Sequence, residues 1–281
     1  MEGKLSSKGW KHLILFVLPY LLFVGSFQYL GIFLLGVENN MLKAPSLLQS
    51  IVLAFLGAIG TFLVLFIFMK YVDRRPFIDV GFRNQNIYSS IFVGLLLGFF
   101  ALASGLLISI EFEQLQITQI DFSSSKILQS IVLFLIIAIT EETLFRGYVL
   151  RNLTWSFGPY IGLIVSAILF ALMHGFNPNI NLIGLLNLFL AGLLLGLSYL
   201  FNKNLWLPIS LHFSWNFFQS LFGYNVSGQN SYSLIEFKVI EANLVNGGDF
   251  GFEGSIFATV IQILLIALIY FYYRKVYGKT S

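Results

Sequence analysis

The chain has 281 residues, of which 57% are hydrophobic and only 10% are charged. Soluble domains carry about a quarter charged residues, so this composition excludes a soluble globular protein and predicts a chain that uses the bilayer as part of its solvent. The absence of cysteine excludes disulfides and thiolate metal sites, and the small net charge of +3 gives no indication of a nucleic-acid partner.

Long uncharged apolar stretches predict transmembrane helices. The first follows a basic N-terminal region and is too long for a signal-peptide core, so we interpret it as a retained span. The predicted fold is all-α: one membrane domain over residues 1–281, arranged as a polytopic bundle of about eight spans. The candidate spans cover residues 13–37, 47–69, 88–110, 127–150, 157–174, 180–201, 205–222 and 255–273.

Basic residues are distributed unevenly between the two sets of connections. With a cytoplasmic N-terminus, eight spans return the C-terminus to the cytoplasm, and 13 of the 16 Lys and Arg residues lie on that side. This asymmetry predicts cytoplasmic termini, and the Lys-, Phe- and Asn-rich composition favours a multi-pass protein of a bacterial plasma membrane. Because Arg146 and Arg151 are counted at the cytoplasmic end of the fourth span, we expect its cavity to open to the cytoplasm.

Glycine occurs in two informative settings: in pairs four residues apart within predicted spans, and in one long polar stretch. Gly94 with Gly98, and Gly192 with Gly196, have the spacing that lets membrane helices approach closely. The longest polar stretch, residues 223–254, is too short and too rich in glycine and asparagine to fold alone. We therefore predict no soluble domain.

The fourth span contains three charged residues, although an ionisable side chain at membrane depth costs about 2.5–3.5 kcal/mol. Glu142 and Arg146 are four residues apart, so they share a helix face and can form an ion pair. Glu141 lies about 100° around the helix and lacks that partner, which makes it the candidate general base. The alternative is a salt-bridged helix end, with Arg146 extending to lipid headgroups.

Two further spans carry histidine. His174 ends the fifth span, while His212 and Asn216 share one face of the seventh, four residues after a helix-kinking Pro208. Individually, these side chains are also compatible with an interfacial histidine or with polar bonds between helices. Together with Glu141, they allow three helices to bring a carboxylate, two imidazoles and an amide to one buried point.

This order of motifs resembles the CAAX prenyl protease and bacteriocin-processing family of intramembrane peptidases, also called CPBP or Abi. The resembling core spans residues 137–217 and contains the sequences EETLFRG, FALMH and HFSWN. The resemblance implies an endopeptidase that acts on a membrane-associated peptide or protein, with membrane lipid around it. It also implies that Glu142 and Arg146 hold the first motif in place.

The resemblance implies a role for each remaining polar residue. Glu141 and His174 would activate a water to attack a peptide carbonyl, which suits a carboxylate and an imidazole that share a proton. His212 and Asn216 would donate hydrogen bonds to the developing oxyanion.

A zinc site is the alternative within the same class. Glu141, His174 and His212 are a two-histidine, one-carboxylate set of the kind that holds catalytic zinc. However, the chain lacks an HExxH sequence, and no two histidines share a helix face. We therefore favour a mechanism without a cofactor, with zinc as the alternative.

Two other functions compete with proteolysis. Intramembrane carboxylates and histidines can relay protons in a transporter, but the paired broken helices of many transporters are absent from the sequence. A non-catalytic bacteriocin-immunity or scaffold protein could keep the same fold.

The predicted span limits place Glu141 and His174 at different depths in the membrane. Glu141 would lie about 21 Å from the outer end of its span, and His174 about 27 Å from the inner end of the next. Straight helices with these limits would separate the two residues.

Overall fold

The computed structural model describes residues 8–36 and 45–277, which form a helical bundle with one small sheet. Each predicted span has a helix at its position, and the predicted all-α polytopic bundle is confirmed. The helices are α1 Gly9–Leu35, α2 Leu47–Ile67, α3 Ile87–Glu111, α4 Ser124–Glu142, α5 Arg151–Phe157, α6 Pro159–Met173, α7 Leu182–Leu200, α8 Trp206–Leu221 and α9 Ile256–Tyr277. The strands are β1 Leu115–Ile120 and β2 Ile235–Val239.

Six helical segments in the described ranges are long and apolar enough to cross a membrane. Many of their apolar side chains point outward, as those of Leu18 and Phe33 on α1 do, and such a surface is suited to lipid. The remaining two predicted spans are shorter, since α6 has 15 residues and α8 has 16. The chain is therefore a multi-pass membrane protein, with six spans that meet the criteria of length and composition.

The predicted end of the fourth span, at residue 150, is wrong. The helix continues from α4 through a π-helical segment, Thr143–Leu150, into α5. Gly158, at φ +85° and ψ 168°, then reverses the chain in a conformation open only to glycine, and Pro159 begins α6 at a position where its missing N–H costs nothing. Residues equally distant from this turn lie side by side, which brings Glu141 level with His174.

Close packing against α3 fixes the position of α8, the helix that carries His212. A Cβ on Gly94 would lie 2.0 Å from Ser210 Oγ, and one on Gly98 would lie 2.5 Å from Ser214 Oγ. Only hydrogen fits at these two positions, so the glycine spacing noted in the sequence corresponds to a true helix–helix contact.

The loop between α8 and α9 folds against the bundle, although nothing in its sequence predicted a strand there. Strand β2 pairs antiparallel with β1, from Leu115 opposite Val239 to Ile120 opposite Ile235. Beyond the sheet, Phe252 is fully buried in an apolar cluster between α3, α8 and α9. These contacts turn the polar stretch into one end of the bundle.

Arg151, which the sequence predicted to be cytoplasmic, lies in a polar cluster with Asp73 and His12 at the opposite end. Arg151 Nη2 donates a hydrogen bond of 2.6 Å to Asp73 Oδ2, and His12 Nδ1 lies 2.7 Å from Asp73 Oδ1. These bonds join the start of α1 and α5 to Asp73, which follows Phe68–Val72, a π-helical continuation of α2. The cluster agrees with the grouping of charges in the sequence, while the sidedness of this end stays a prediction.

We predict that Gly98→Ala destabilises the protein, while Gly25→Ala does not. The added methyl at residue 98 collides with Ser214, and overpacking of this kind costs about 1–3 kcal/mol. A Cβ on Gly25, within α1, has nothing within 4 Å, and alanine favours the helix there. Thermal unfolding in detergent measures both effects, and an unchanged melting temperature for Gly98→Ala would contradict the tight α3–α8 contact.

Candidate active site

Glu141 and His174 face each other across the α4–α6 hairpin. Glu141 Oε2 lies 3.7 Å from His174 Nε2, and the two side chains are 26% and 16% exposed. This separation is too long for a direct hydrogen bond but short enough for one water molecule to contact both atoms. Glu141 Oε2 is buried and has no hydrogen-bond partner within the described residues.

A backbone carbonyl sets the tautomer of His174. The Nδ1 atom lies 2.9 Å from the carbonyl oxygen of Phe170, one helical turn earlier. Since a carbonyl oxygen only accepts, Nδ1 must carry the proton, and Nε2 of the neutral ring keeps its lone pair. The side facing Glu141 is therefore the basic side of the imidazole.

Glu142 binds two partners instead of the one predicted. Its Oε1 accepts from Arg146 Nη1 at 2.9 Å, the ion pair expected from the sequence. The same oxygen also lies 2.8 Å from His212 Nδ1, a bond between α4 and α8 that no sequence spacing indicated. Glu142 is 0% exposed, so its charge is balanced entirely inside the bundle.

Arg146 lies in the protein interior, not at the membrane interface. Its exposed fraction is 1%, and its guanidinium stacks on the ring of Phe170 at 4.5 Å. Nη2 makes a long hydrogen bond of 3.4 Å to the carbonyl of Gly192 on α7. The headgroup-binding alternative is therefore wrong, and Arg146 should not be counted among the cytoplasmic charges.

The carboxylate of Glu142 also orients His212. Because the carboxylate accepts from Nδ1, that nitrogen carries a proton, and Nε2 is the ring nitrogen with no hydrogen bond in the described part of the chain. Asn216 lies one turn further along α8, is 7% exposed, and makes no side-chain hydrogen bond to any described residue. Both side chains thus keep a polar atom available.

One cavity of about 710 Å³ joins these residues. Glu141, His174, His212 and Asn216 all line it, whereas Glu142 and Arg146 lie behind the wall. Apolar side chains from α4 and α7 form much of the remaining surface. The structure thus brings the four predicted catalytic residues to one chamber and keeps the predicted supporting pair outside it.

The expected opening at the end of Arg151 is wrong. Beyond the polar residues, the cavity extends to the start of α2 at Pro45 and Leu47, to Asn177, and to the loop over residues 226–232. All of these lie at the sheet end of the bundle, opposite the Asp73 cluster. The expectation rested on Arg146 and Arg151, of which Arg146 is buried beside the cavity and Arg151 lies at the opposite end.

The zinc alternative would use Glu141, His174 and His212, which all line the cavity. No three His, Cys, Asp or Glu side chains among residues 8–36 and 45–277 are close enough to share a metal ion. His212 is bound through Nδ1 to Glu142, an arrangement that is also common in metal-binding histidines. The side chains of Glu141, His174 and His212 line one cavity but do not converge on one point.

We predict that Glu142→Leu strongly destabilises the protein and that adding Arg146→Met restores most of the loss. The single change leaves a buried guanidinium without its anion, which costs about 3–5 kcal/mol, whereas removing both charges is often close to neutral. Chemical unfolding in detergent measures both variants. Equal destabilisation of the single and double variants would contradict the buried pair.

Comparisons with known proteins agree with the motifs. Residues 123–218 match the family described as type II CAAX prenyl endopeptidase Rce1-like, and this range includes the predicted core 137–217. The chain is also similar to an uncharacterised 24.3 kDa protein of Escherichia coli, with 32% identity over 101 residues. That similarity covers 34% of this chain and 45% of the relative, so the chain spans less than half of the relative's length. Residues 123–218, from the start of α4 into α8, are thus similar to the type II CAAX prenyl endopeptidase family.

Proposed function

We propose that this protein is an intramembrane endopeptidase that hydrolyses a peptide bond in a membrane-associated peptide or protein. The observation that carries the proposal is the pairing of Glu141 Oε2 with His174 Nε2, 3.7 Å apart on the wall of a polar cavity inside an apolar bundle. Two groups with basic lone pairs, placed one water apart, suit the activation of water. The family match over residues 123–218 supports the same reaction class.

In the first step, a water held between Glu141 and His174 attacks the carbonyl carbon of the scissile bond. The new C–O bond forms as the carbonyl π electrons move to oxygen, and the proton lost by the water passes to Glu141 or to Nε2 of His174. The tautomer of His174 suits this step, because Nδ1–H is already held by the Phe170 carbonyl and Nε2 is free to accept.

The oxyanion formed in this step needs hydrogen-bond donors. The amide of Asn216 can donate directly from the cavity wall. His212 can donate from Nε2 only when both ring nitrogens carry protons, since Nδ1–H is directed at Glu142. The carboxylate of Glu142 stabilises that doubly protonated ring, so it acts on the oxyanion through His212 as a positioning residue.

The second step returns the proton. The oxyanion collapses to a carboxylic acid, the C–N bond breaks, and the leaving nitrogen takes the proton held by Glu141 or His174. The products are a new carboxyl terminus and a new amino terminus, and the two bases regain their starting states. No cofactor takes part in these steps, and the buried Arg146 contributes by holding Glu142 in place.

The surroundings favour a substrate that reaches the cavity within or beside the membrane. The chamber lies inside a multi-pass bundle, and its polar wall is bordered by apolar side chains. We propose the plasma membrane of a bacterium as the location, with lipid and a peptide or protein substrate as the partners.

We predict that Glu141→Gln and His174→Ala each lower cleavage by about 10²- to 10⁴-fold, because each removes one base of the water-activating pair. Mass spectrometry of membrane peptides, compared between cells that make wild-type protein and cells that make Glu141→Gln, should reveal substrates that accumulate uncut. Gly25→Ala, on the outside of α1, is the matched control.

Full cleavage by well-folded Glu141→Gln and His174→Ala would contradict the proposed roles. Flux across proteoliposomes that Glu141→Gln abolishes, with no change in membrane peptides, would favour a transporter. Protection from a bacteriocin that survives loss of all four cavity residues would favour an immunity role.

We further predict that purified protein cleaves its substrate after exhaustive chelation. The proposed steps use only side chains of this chain, and Glu141, His174 and His212 do not converge on one metal position. Peptide cleavage in liposomes before and after chelation measures the effect. Complete loss that only zinc reverses would contradict the metal-free mechanism.

A further inference from the structure

A second carboxylate lines the proposed catalytic cavity, outside the segment that matches the family. Glu253 lies in the short turn Phe252–Gly254 just before α9, and its exposed fraction is 7%. Its Oε2 accepts hydrogen bonds from the backbone N of Ser227 at 2.8 Å and from Ser227 Oγ at 2.9 Å. No Lys, Arg or His within the described residues forms an ion pair with it. Glu253 is therefore a buried carboxyl group that accepts two hydrogen bonds and pairs with no cationic side chain among the described residues.

The backbone around Glu253 is held firmly. Asn187 Nδ2, on α7, donates to the carbonyls of Glu253 at 2.7 Å and of Ser255 at 2.9 Å. Asn187 Oδ1 in turn accepts from Thr259 Oγ1 at 2.7 Å. These bonds fix the backbone of Glu253 at the wall of the cavity, and the two bonds from Ser227 orient its carboxyl group, so it is preorganised for a ligand.

The cavity offers further acceptor atoms without partners. Gln262 lines it from α9, is 1% exposed, and has an unpartnered Oε1. Glu141 Oε2 is likewise unpartnered. Among the described residues that line the cavity there are two carboxylates, Glu141 and Glu253, and neither lysine nor arginine. The lining therefore holds two carboxyl groups and two histidines, and no side chain with a permanent positive charge.

Leaving a carboxylate buried without a cation is costly, and two hydrogen bonds offset only part of the cost. A ligand that brings its own positive charge removes this imbalance. The low dielectric of the cavity strengthens such a contact relative to water.

We propose that Glu253 forms a subsite for a cationic group of the substrate, either a lysine or arginine side chain or a free amino terminus. The inference rests on the proposed peptidase function and adds a substrate class to it: a membrane-associated peptide with a positive charge among apolar residues. Apolar residues of the cavity wall such as Leu133, Phe134 and Ile137 contact the apolar part of that peptide. Glu253 is a specificity residue, because it selects the substrate and takes no part in bond cleavage.

A binding experiment tests the subsite without cleavage. The His174→Ala protein is placed in nanodiscs of zwitterionic lipid, and labelled apolar peptides carry either one lysine, scanned along the sequence, or norleucine in its place. Each peptide is made with a free and with an acetylated amino terminus, which separates side chain from terminus. We expect the best cationic peptide to bind about ten-fold more tightly than its neutral counterpart.

The decisive variant is Glu253→Gln in the same background. Glutamine can still accept from Ser227 but has no charge, so the preference for the cationic peptide should fall to about one-fold. Ser227→Ala is the matched control, since it removes one hydrogen bond to Glu253 and keeps both the charge and the backbone bond. Unfolding temperatures of all variants show that each is folded. Equal binding of cationic and neutral peptides by the parent, or an unchanged preference in Glu253→Gln, would overturn the subsite.

Cleavage of the same peptides with His174 intact separates this inference from the proposed function. Cleavage without any charge preference overturns the subsite and leaves the peptidase standing. A charge preference that depends on Glu253, in a protein that cleaves no peptide, supports the subsite and overturns the peptidase.

Discussion

The bonds that the buried carboxylate of Glu142 makes to two other helical positions hold the site together. One oxygen binds both Arg146 and His212, so a single charge on α4 is tied to its own helix and to α8. Arg146 extends the link to the ring of Phe170 on α6 and the Gly192 carbonyl on α7. Four helices therefore meet around one ion pair shielded from both lipid and water.

The one-residue turn at Gly158 determines how Glu141 on α4 and His174 on α6 face each other. Because Gly158 alone separates α5 from α6, the two arms of the hairpin are in register, and Glu141 lies opposite His174. The π-helical segment Thr143–Leu150 follows directly after Glu142, and wide turns of this kind often occur at functional sites. Successive residues of an α-helix point about 100° apart, so the two adjacent glutamates project to different sides, one towards the cavity and one towards the buried arginine.

The cavity is completed by parts of the chain that the family segment does not contain. Residues 226–232 and Glu253 line it at the sheet end, and Gln262 on α9 lines it from the side. The polar residues that line the chamber therefore come from two different parts of the chain. The family segment supplies the residues proposed for catalysis, while the loop between α8 and α9 supplies those proposed for substrate selection.

The sequence alone was enough to predict the membrane class, a helix at each of the eight candidate spans, the Glu142–Arg146 pair and four of the polar residues that line the cavity. It could do so because apolar runs, charge and i,i+4 spacing are local properties of a chain. The end of α5, the Glu142–His212 bond, the burial of Arg146, the β1–β2 sheet and the place of Glu253 were decided only by tertiary structure. Each depends on residues far apart in sequence that meet through packing, which no local pattern records.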